Sequence, residues 1–492
     1  MPFDRSTSLI TPAEMAAIDT AAALSGIDSF ALMKSAGMAV SAAALRLYPE
    51  ALRFVVLCGP GSNGGDGYVA ASALGDCGAD VEVYALGNPA RLKGDAARAH
   101  KTCALKVGPL GSYAPRPGDV VIDALFGAGL SRPAPPEAAA TMQAVGDQRL
   151  PVVAVDLPSG VDGRTGHVLG HSFRASHTIT FMARKPGHLL MPGRALCGTV
   201  ETVDIGIPER ILRLSAGTLR ENGPHLWVGH AQALDPSAHK FKRGHLVVFS
   251  GGPLSTGAAR LSAVAGLRAG AGLVTIASDT AALNANAAHL TAVMLKEITG
   301  GEALSHWLSD KRINAFVLGP GFGDLDRARR YALLLRERRL VLDADGITAF
   351  KDDPAPLFEA YSEGETRLVM TPHDGEFARL FPDIEADETL SKVDRAVAAA
   401  KRSHAVIVYK GADTVIAAPD GRAAINANAP PWLATAGSGD TLAGIIGAHL
   451  AQGMPAFEAA AAGVWRHGRA GNKAGEGLTA EDLAAAIEPL PA

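Results

Sequence analysis

Short apolar runs rich in β-branched residues recur through the first half of the chain, at Phe54 to Leu57, Val81 to Leu86, Val120 to Asp123, Val152 to Asp156 and His177 to Phe181. Ala-rich segments such as Ala36 to Leu47 and Tyr68 to Leu74 lie between them, and Pro/Gly-rich stretches near Pro109 to Gly118 and Ser131 to Pro136 read as loops. Fully apolar strands separated by helices predict a parallel sheet buried on both faces. The rhythm lapses between about Ile207 and Lys242, where Pro208, Gly223, Pro224 and Pro236 divide short pieces without a period. It resumes with His245 to Ser250, Leu273 to Ala277, Ala315 to Leu318, Leu340 to Asp343, Leu368 to Thr371 and Val406 to Lys410, with helices expected at Ala258 to Ala269 and Arg395 to Ser403. Two α/β domains follow, residues 1–222 and 223–492, and a length of 492 residues agrees because it exceeds one ordinary core.

Composition narrows the class. A net charge of -4 and an aromatic content of 5% leave neither a positive surface nor stacking platforms for nucleic acid. The stretch from Thr441 to Phe457 has no formally charged side chain, but His449, Gln452, Gly453 and Pro455 interrupt it, so it reads as a buried helix and no membrane partner is expected. The first ten residues include Asp4 and Arg5 and lack the apolar core of a signal peptide. Cys58, Cys77, Cys103 and Cys197 form no C-x-x-C pair, which fits unpaired thiols in a reducing cytoplasm.

The chemistry concentrates at predicted strand ends. Gly437-Ser438-Gly439-Asp440-Thr441 is a small-residue turn that delivers one carboxylate to a helix expected from about Thr441. Its amides and the helix dipole suit a phosphate, with Asp440 placed to take a proton from an attacking hydroxyl; the local alternative is Asp440 as a helix cap. Gly251 to Ala259, Gly319 to Gly323, Asp343 to Asp345, Thr371 to Glu376 and Lys410 to Thr414 complete one rim. There Lys410 reaches a phosphate, Asp343 or Glu376 organises Mg²⁺, and His373, beside a Gly375 turn, contacts ligand or serves the turn. No Walker-type G-x-x-x-x-G-K-[ST] occurs.

In the first half, Gly59, Gly61 and Gly64 form a G-x-G-x-x-G after a strand. The next strand lacks the acidic residue that would hold a ribose, so a dinucleotide dehydrogenase is disfavoured. Asn63, Asp123 and Ser159, on three successive strand-end loops, offer an amide oxygen, a carboxylate and a hydroxyl. That hard-oxygen set suits an alkali cation and leaves Asp156 as a free carboxylate near the ligand. Singly, each residue also has a cap or turn explanation.

Together, in this order, the motifs resemble the bifunctional NAD(P)H-hydrate repair enzymes, in which an NAD(P)HX epimerase is fused to an ADP-dependent NAD(P)HX dehydratase. The resemblance covers nearly the whole chain. It implies an N-terminal Rossmann-like three-layer sandwich and a C-terminal ribokinase-like doubly wound α/β domain. It further implies that R and S NAD(P)HX are interconverted, and that the S form is dehydrated to NAD(P)H with ADP as phosphoryl donor, giving AMP and phosphate. Asp440 and Asp156 are the implied catalytic residues. Ser62, Asn63, Gly64, Gly65, Asp66, Gly127, Ala128, Gly129, Leu130, Ser131, Arg132, Pro133 and Asp156 would contact the hydrate in the first domain, with K⁺ on Asn63, Asp123 and Ser159. In the second, Ala258, Gly323, His373 and Asp440 would contact the hydrate, and Lys410, Gly411, Ala412, Asp413, Thr414 and Gly439 the adenine nucleotide, with Mg²⁺. The expected partners are NADHX, NADPHX, ADP and further copies of the chain. Ser62 replaces the usual Asn, Ala128 the usual Thr and Asp374 the usual Pro, the last adding negative charge near the substrate loop. A ribokinase-type kinase that keeps its phosphoester, and a first domain that only binds ligand, are the rival readings.

Overall fold

The computed structural model describes residues 4–231 and 240–491; Pro236, one of the breaks noted above, lies outside them. The chain forms two compact units that divide between Leu219 and Arg220. In the first unit the strands are β1 (Arg53–Cys58), β2 (Val81–Ala85), β3 (Val107–Pro109), β4 (Asp119–Ala124), β5 (Val152–Val155), β6 (His177–Phe181) and β7 (Thr199–Val203). They pair in parallel in the order β3-β2-β1-β4-β5-β6-β7. Because side chains alternate along a strand, β1 divides itself between two cores. Phe54, Val56 and Cys58 pack under the Ser29–Leu47 and Ser62–Asp76 helices, whereas Val55 and Leu57 pack against the Pro136–Asp147 helix. The result is a three-layer sandwich.

Strands β3 and β7 carry no clear apolar run. Both are edge strands, and β7 is exposed at Thr199, Glu201 and Thr202 and half-buried at Val200 and Val203, so neither needs apolar residues throughout. Among the described residues, Ser29–Leu47 alone is long and apolar enough to cross a membrane, yet Met33, Ala36, Val40 and Ala44 place its apolar side in the core. All four cysteines are free thiols.

The second unit contains β8 (Leu219–Glu221), β9 (His245–Phe249), β10 (Leu273–Ser278), β11 (Met294–Glu297), β12 (Ala315–Leu318), β13 (Arg339–Leu342), β14 (Leu368–Met370), β15 (Val406–Tyr409), β16 (Val415–Ala417) and β17 (Ala423–Ile425). Their order is β11-β10-β9-β12-β13-β14-β15-β16-β17-β8, parallel from β11 to β15 and antiparallel where β16 meets β15 and β17. The Gly257–Arg268, Ser438–Ala451 and Ala456–Ala474 helices cover one face through Ala263, Ile445 and Ala460, while Phe249 and Phe316 stack on the other near Tyr331. The charge-free segment is thus a buried helix, with every residue from Thr441 to Ala451 inside.

Both sheets reverse strand order once, between β1 and β4 and between β9 and β12, and open α/β sheets bind ligands at such points. Glycine makes the approach possible. A Cβ on Gly59 would lie 1.7 Å from the Leu125 carbonyl oxygen, one on Gly64 1.9 Å from the Gly59 oxygen, and one on Gly251 1.9 Å from the Gly321 oxygen. Gly59 and Gly64 of the G-x-G-x-x-G therefore serve backbone-to-backbone packing, while a Cβ on Gly61 would meet nothing within 4 Å. Gly64→Ala is expected to destabilise the first unit by about 1–3 kcal/mol, read as a lower denaturation midpoint for that unit's transition.

Candidate active sites

At the first switch point the loops after β1, β4 and β5 surround a cavity of about 800 Å³, a volume suited to a small-molecule ligand. Ser62, Asn63, Asp66, Gly127 to Arg132 and Asp156 all line it. Other sequence-predicted residues do not: Gly64 faces Gly59, Gly65 abuts the Met33 side chain, and Pro133 lies beside Gly170.

The Leu125–Ala128 segment is the hub. The Asp123 carboxylate accepts hydrogen bonds from the Leu125 N–H at 3.2 Å, the Ser159 N–H at 2.7 Å and the Ser159 hydroxyl at 2.6 Å. Ser159 Oγ in turn accepts from the Phe126 N–H at 2.8 Å and lies 3.1 Å from the Phe126 carbonyl oxygen. Burial pushes the Asp123 carboxyl up to about 6 against these three hydrogen bonds. One residue further, Asn63 Oδ1 and Asp156 Oδ2 lie 3.0 and 3.2 Å from the position of a Cβ on Gly127. Asn63 Nδ2 is buried without a hydrogen-bond partner among the described residues. The structure thus joins Asp123 to Ser159 directly and brings Asn63 to the same loop.

Asp156 is not the free carboxylate expected from the sequence. Lys185 Nζ reaches its Oδ1 at 2.6 Å, Thr180 donates at 2.9 Å, and the Ala128 N–H donates to Oδ2 at 3.0 Å. Burial alone would raise its pKa, but the Lys185 charge and hydrogen bond, with the Ala128 amide, bring it down to about 2. Asp156 has φ 66°, a left-handed backbone that turns the chain out of β5. His188 holds this corner: Nδ1 accepts from the Lys185 N–H at 2.9 Å, so Nε2 carries the proton and donates to the Asp156 carbonyl at 2.8 Å. Burial keeps the His188 ring neutral, with its pKa lowered to about 4. Lys185, His188 and the cavity-lining Asp19 were not singled out in the sequence. Lys185 follows β6 at the ligand-binding edge of the sheet, and that position was the available signal.

In the second unit the helix begins at Ser438, earlier than expected, with Gly437 as its N-cap at φ 84°. Asp440 is accordingly the third helical residue and not the cap. The Ser438 N–H donates to Thr435 and the Thr441 N–H to Gly437. The Gly439 and Asp440 amides lie between them in the first turn, where N–H groups lack intrahelical acceptors. Ser262 anchors this turn by donating to the Asp440 carbonyl at 2.7 Å, and the buried Ser438 hydroxyl meets His467 Nε2 at 3.1 Å. Facing the turn, Lys410 Nζ pairs with Asp343 Oδ1 at 2.7 Å. A Cβ on Gly439 would lie 3.5 Å from Lys410 Nζ and 3.9 Å from Asp343 Oδ2. Burial first, and the Asp343 charge second, push the Asp440 carboxyl up to about 6 against the opposing pull of Lys410.

Around this centre, Ala258, the second residue of the Gly257–Arg268 helix, lies against Gly321, and Gly323, at φ 79°, donates its N–H to Asp345 at 2.9 Å. Gly411 and Ala412 are exposed in the loop between β15 and β16, while Asp413 pairs with Lys392 at 2.6 Å and Thr414 donates to the Gly411 carbonyl. His373 caps the Asp374–Leu380 helix, its Nδ1 accepting from the Gly375 N–H at 3.0 Å, so Gly375 belongs to a helical turn. Glu376 closes the same capping box, its Oε2 accepting from the His373 N–H at 2.9 Å.

Residues 246–489 match a family model described as NAD(P)H-hydrate dehydratase, and residues 29–187 one described as YjeF-related protein N-terminus. A bifunctional NAD(P)H-hydrate repair enzyme of Thermofilum pendens is 36% identical over 485 residues, covering 93% of this chain and 91% of that protein. The Escherichia coli protein of the same name is 32% identical over 489 residues, covering 96% and 91%. The chain belongs to the bifunctional NAD(P)H-hydrate repair enzyme family. A solved Bacillus subtilis ADP/ATP-dependent NAD(P)H-hydrate dehydratase, co-crystallised with ATP/Mg²⁺, is 23% identical, with a TM-score of 0.46 over 54% of this chain and 94% of its own. In this member of the repair-enzyme family, Asp374 is the exposed first residue of its helix, where the dipole favours a negative charge. Ala128 keeps its backbone donor to Asp156 and its methyl packs near Gly163.

Proposed function

We propose that the first unit interconverts R and S NAD(P)HX and that the second dehydrates S-NAD(P)HX to NAD(P)H with ADP, releasing AMP and phosphate. The observation that carries this reading is the Asp440 carboxyl, poised near 6 on a glycine-walled helix start that faces Lys410 and Asp343. A group with that pKa is ionised near neutrality yet remains a competent proton acceptor.

The hydrate is a hemiaminal whose hydroxide is a poor leaving group. Asp440 removes the hydroxyl proton as that oxygen attacks the terminal phosphorus of ADP, and the bond to the bridging oxygen breaks to release AMP. The Gly439 and Asp440 amides and Lys410 hold the charge that develops on the phosphoryl oxygens. The ring nitrogen then expels phosphate, and loss of the neighbouring C5 proton restores the dihydropyridine. Lys410 to Thr414 form the loop assigned to the adenine nucleotide, with Asp413 fixed from behind by Lys392. Ala258, Gly323 and His373 form the hydrate side, where His373 presents an exposed ring while its Nδ1 caps the helix.

Both implied cations fit their residues. Asp343 Oδ2 faces the Gly439 turn while Oδ1 serves Lys410, so Asp343 and the ADP phosphates would hold Mg²⁺, which supplies charge neutralisation when bound. Asp123, Ser159 and the Phe126 carbonyl make an all-oxygen cluster beside Asn63, and the buried Asp123 charge has no cationic partner among the described residues. That donor set would hold K⁺ and fix the Leu125–Ala128 loop. Asp156, held ionised, shapes the same loop and presents Oδ2 to the hydrate.

Recovery of reduced-nicotinamide absorbance from mixed R and S NADHX with ADP, Mg²⁺ and K⁺ tests both activities together. Complete recovery is the expected result. Recovery of only the S fraction would remove the first activity, and a stable phosphorylated product would select the kinase reading.

A further inference from the structure

Interconverting the two epimers requires a proton to leave the hydroxyl and a proton to reach the ring nitrogen, and Asp156 is poorly suited to either task. Its two oxygens are engaged by Lys185, Thr180 and the Ala128 amide, and it has no proton to give. Three other carboxyls line the same cavity; Asp19 is exposed and Asp95 accepts a hydrogen bond from the Ser29 hydroxyl, which leaves Asp66. Asp66 stands on the Ser62–Asp76 helix one turn beyond Asn63, so the two share a helical face, and both border the cavity. Met33, Ala36 and Phe181 form apolar wall around the same space. No side-chain hydrogen bond or ion pair engages the Asp66 carboxyl among the described residues, which leaves both of its oxygens for a ligand.

We infer that Asp66 is the catalytic residue of epimerisation, acting as a neutral carboxylic acid that moves two protons at once between the hydrate's hydroxyl oxygen and its ring nitrogen. The assignment rests on the reading of the first unit as an NAD(P)HX epimerase. The two reacting atoms share one carbon, as the two oxygens of a carboxyl do, so one carboxyl spans both. Its unprotonated oxygen takes the hydroxyl proton as the C6–O bond becomes a carbonyl. The C6–N1 bond breaks with its electron pair passing to N1, and the proton on the other carboxyl oxygen moves to N1. The ring opens to an aldehyde and an enamine N–H. Rotation about the C5–C6 bond presents the opposite carbonyl face, and the reverse of both transfers closes the ring as the other epimer and returns the carboxyl to its starting form. Atoms and electrons balance without a co-reactant.

The surrounding charges support this division of labour. Burial, and then the nearby Asp156 and Asp19 carboxyls, raise the Asp66 pKa well above the ordinary carboxylate range. Lys185 acts on Asp156 in the opposite sense, so within one cavity Asp66 and Asp156 are driven to opposite protonation states. Such separation assigns the acid to Asp66 and a fixed negative charge to Asp156, which is then a positioning residue.

The test follows interconversion of pure R-NADHX by NMR with K⁺ and without ADP, so that dehydration does not intervene. Asp66→Asn is expected to slow the enzymatic rate by about 100-fold or more while the dissociation constant for R-NADHX, titrated separately, changes by less than about tenfold. Asp66→Ala retains a helix-forming residue, and added formate, itself a two-oxygen acid, is expected to restore its rate with saturation. Formate should do nothing for Asp156→Asn. An Asp66→Asn rate within about threefold of wild type, or Asp66→Ala that binds hydrate without formate rescue, overturns the assignment. Wild-type protein that leaves the spontaneous rate unchanged refutes the epimerase reading itself, an outcome separate from either variant's behaviour.

Discussion

Asp440→Asn is expected to lower the turnover number for ADP-dependent NADH formation by about a thousandfold, with a much smaller change in KM for either substrate. The substitution preserves shape at the third position of the Ser438–Ala451 helix and leaves the Ser262 hydrogen bond to its backbone carbonyl intact. The fold should persist while the proton acceptor is gone. The wild-type pH profile provides a second reading of the same group. Asp440 acts in its ionised form and burial sets its pKa near 6, so turnover should fall as pH drops through about 6 and level off above about 7. Steady-state absorbance assays across that range check both points. A profile flat from about pH 5 to 8, or an Asn variant that keeps a tenth of the activity, would place the proton acceptor elsewhere.

The largest expected stability effect lies at Lys185. Its side chain is 3% exposed and pairs with an Asp156 that is 16% exposed, so removing one partner strands a charge in a region water scarcely reaches. Lys185→Met should cost the first unit about 3–5 kcal/mol, measured as the change in its own denaturation transition. Asp156 also couples stability to pH. Its folded pKa of about 2 lies below its unfolded value near 3.9, so its contribution is fully present above about pH 4 and disappears as pH falls from there toward 2. In Lys185→Met the folded pKa rises and that acid-side contribution is lost. Replacing both partners with apolar residues should restore part of the lost stability, because no unpaired charge remains. A loss below about 1 kcal/mol in Lys185→Met would mean that the pair behaves like a solvent-screened surface bridge.

Strands such as Val152–Val155 and Ala315–Leu318 were legible because a central parallel strand is buried on both faces and writes a continuous apolar run. Thr199–Val203 and the short Val415–Ala417 and Ala423–Ile425 were not, since an edge strand keeps one side toward solvent and three residues hold no measurable period. The glycine motif was visible, but its reason was not: Gly59 and Gly64 are required by contacts with the Leu125 and Gly59 carbonyl oxygens.

By itself the sequence determined two α/β halves built on buried strands, and the strand-end loops that carry the candidate residues, because apolar periodicity and glycine placement act locally. Only the tertiary structure decided which polar groups are free. Asp156 lost its expected freedom to Lys185, which stands 29 positions along the chain, and one oxygen of Glu376 serves a helix cap, whereas Asp66 and Asp440 kept open carboxyls beside other charges. Charge state depends on burial and on neighbours brought together from distant segments, and neither quantity is written in the order of the residues.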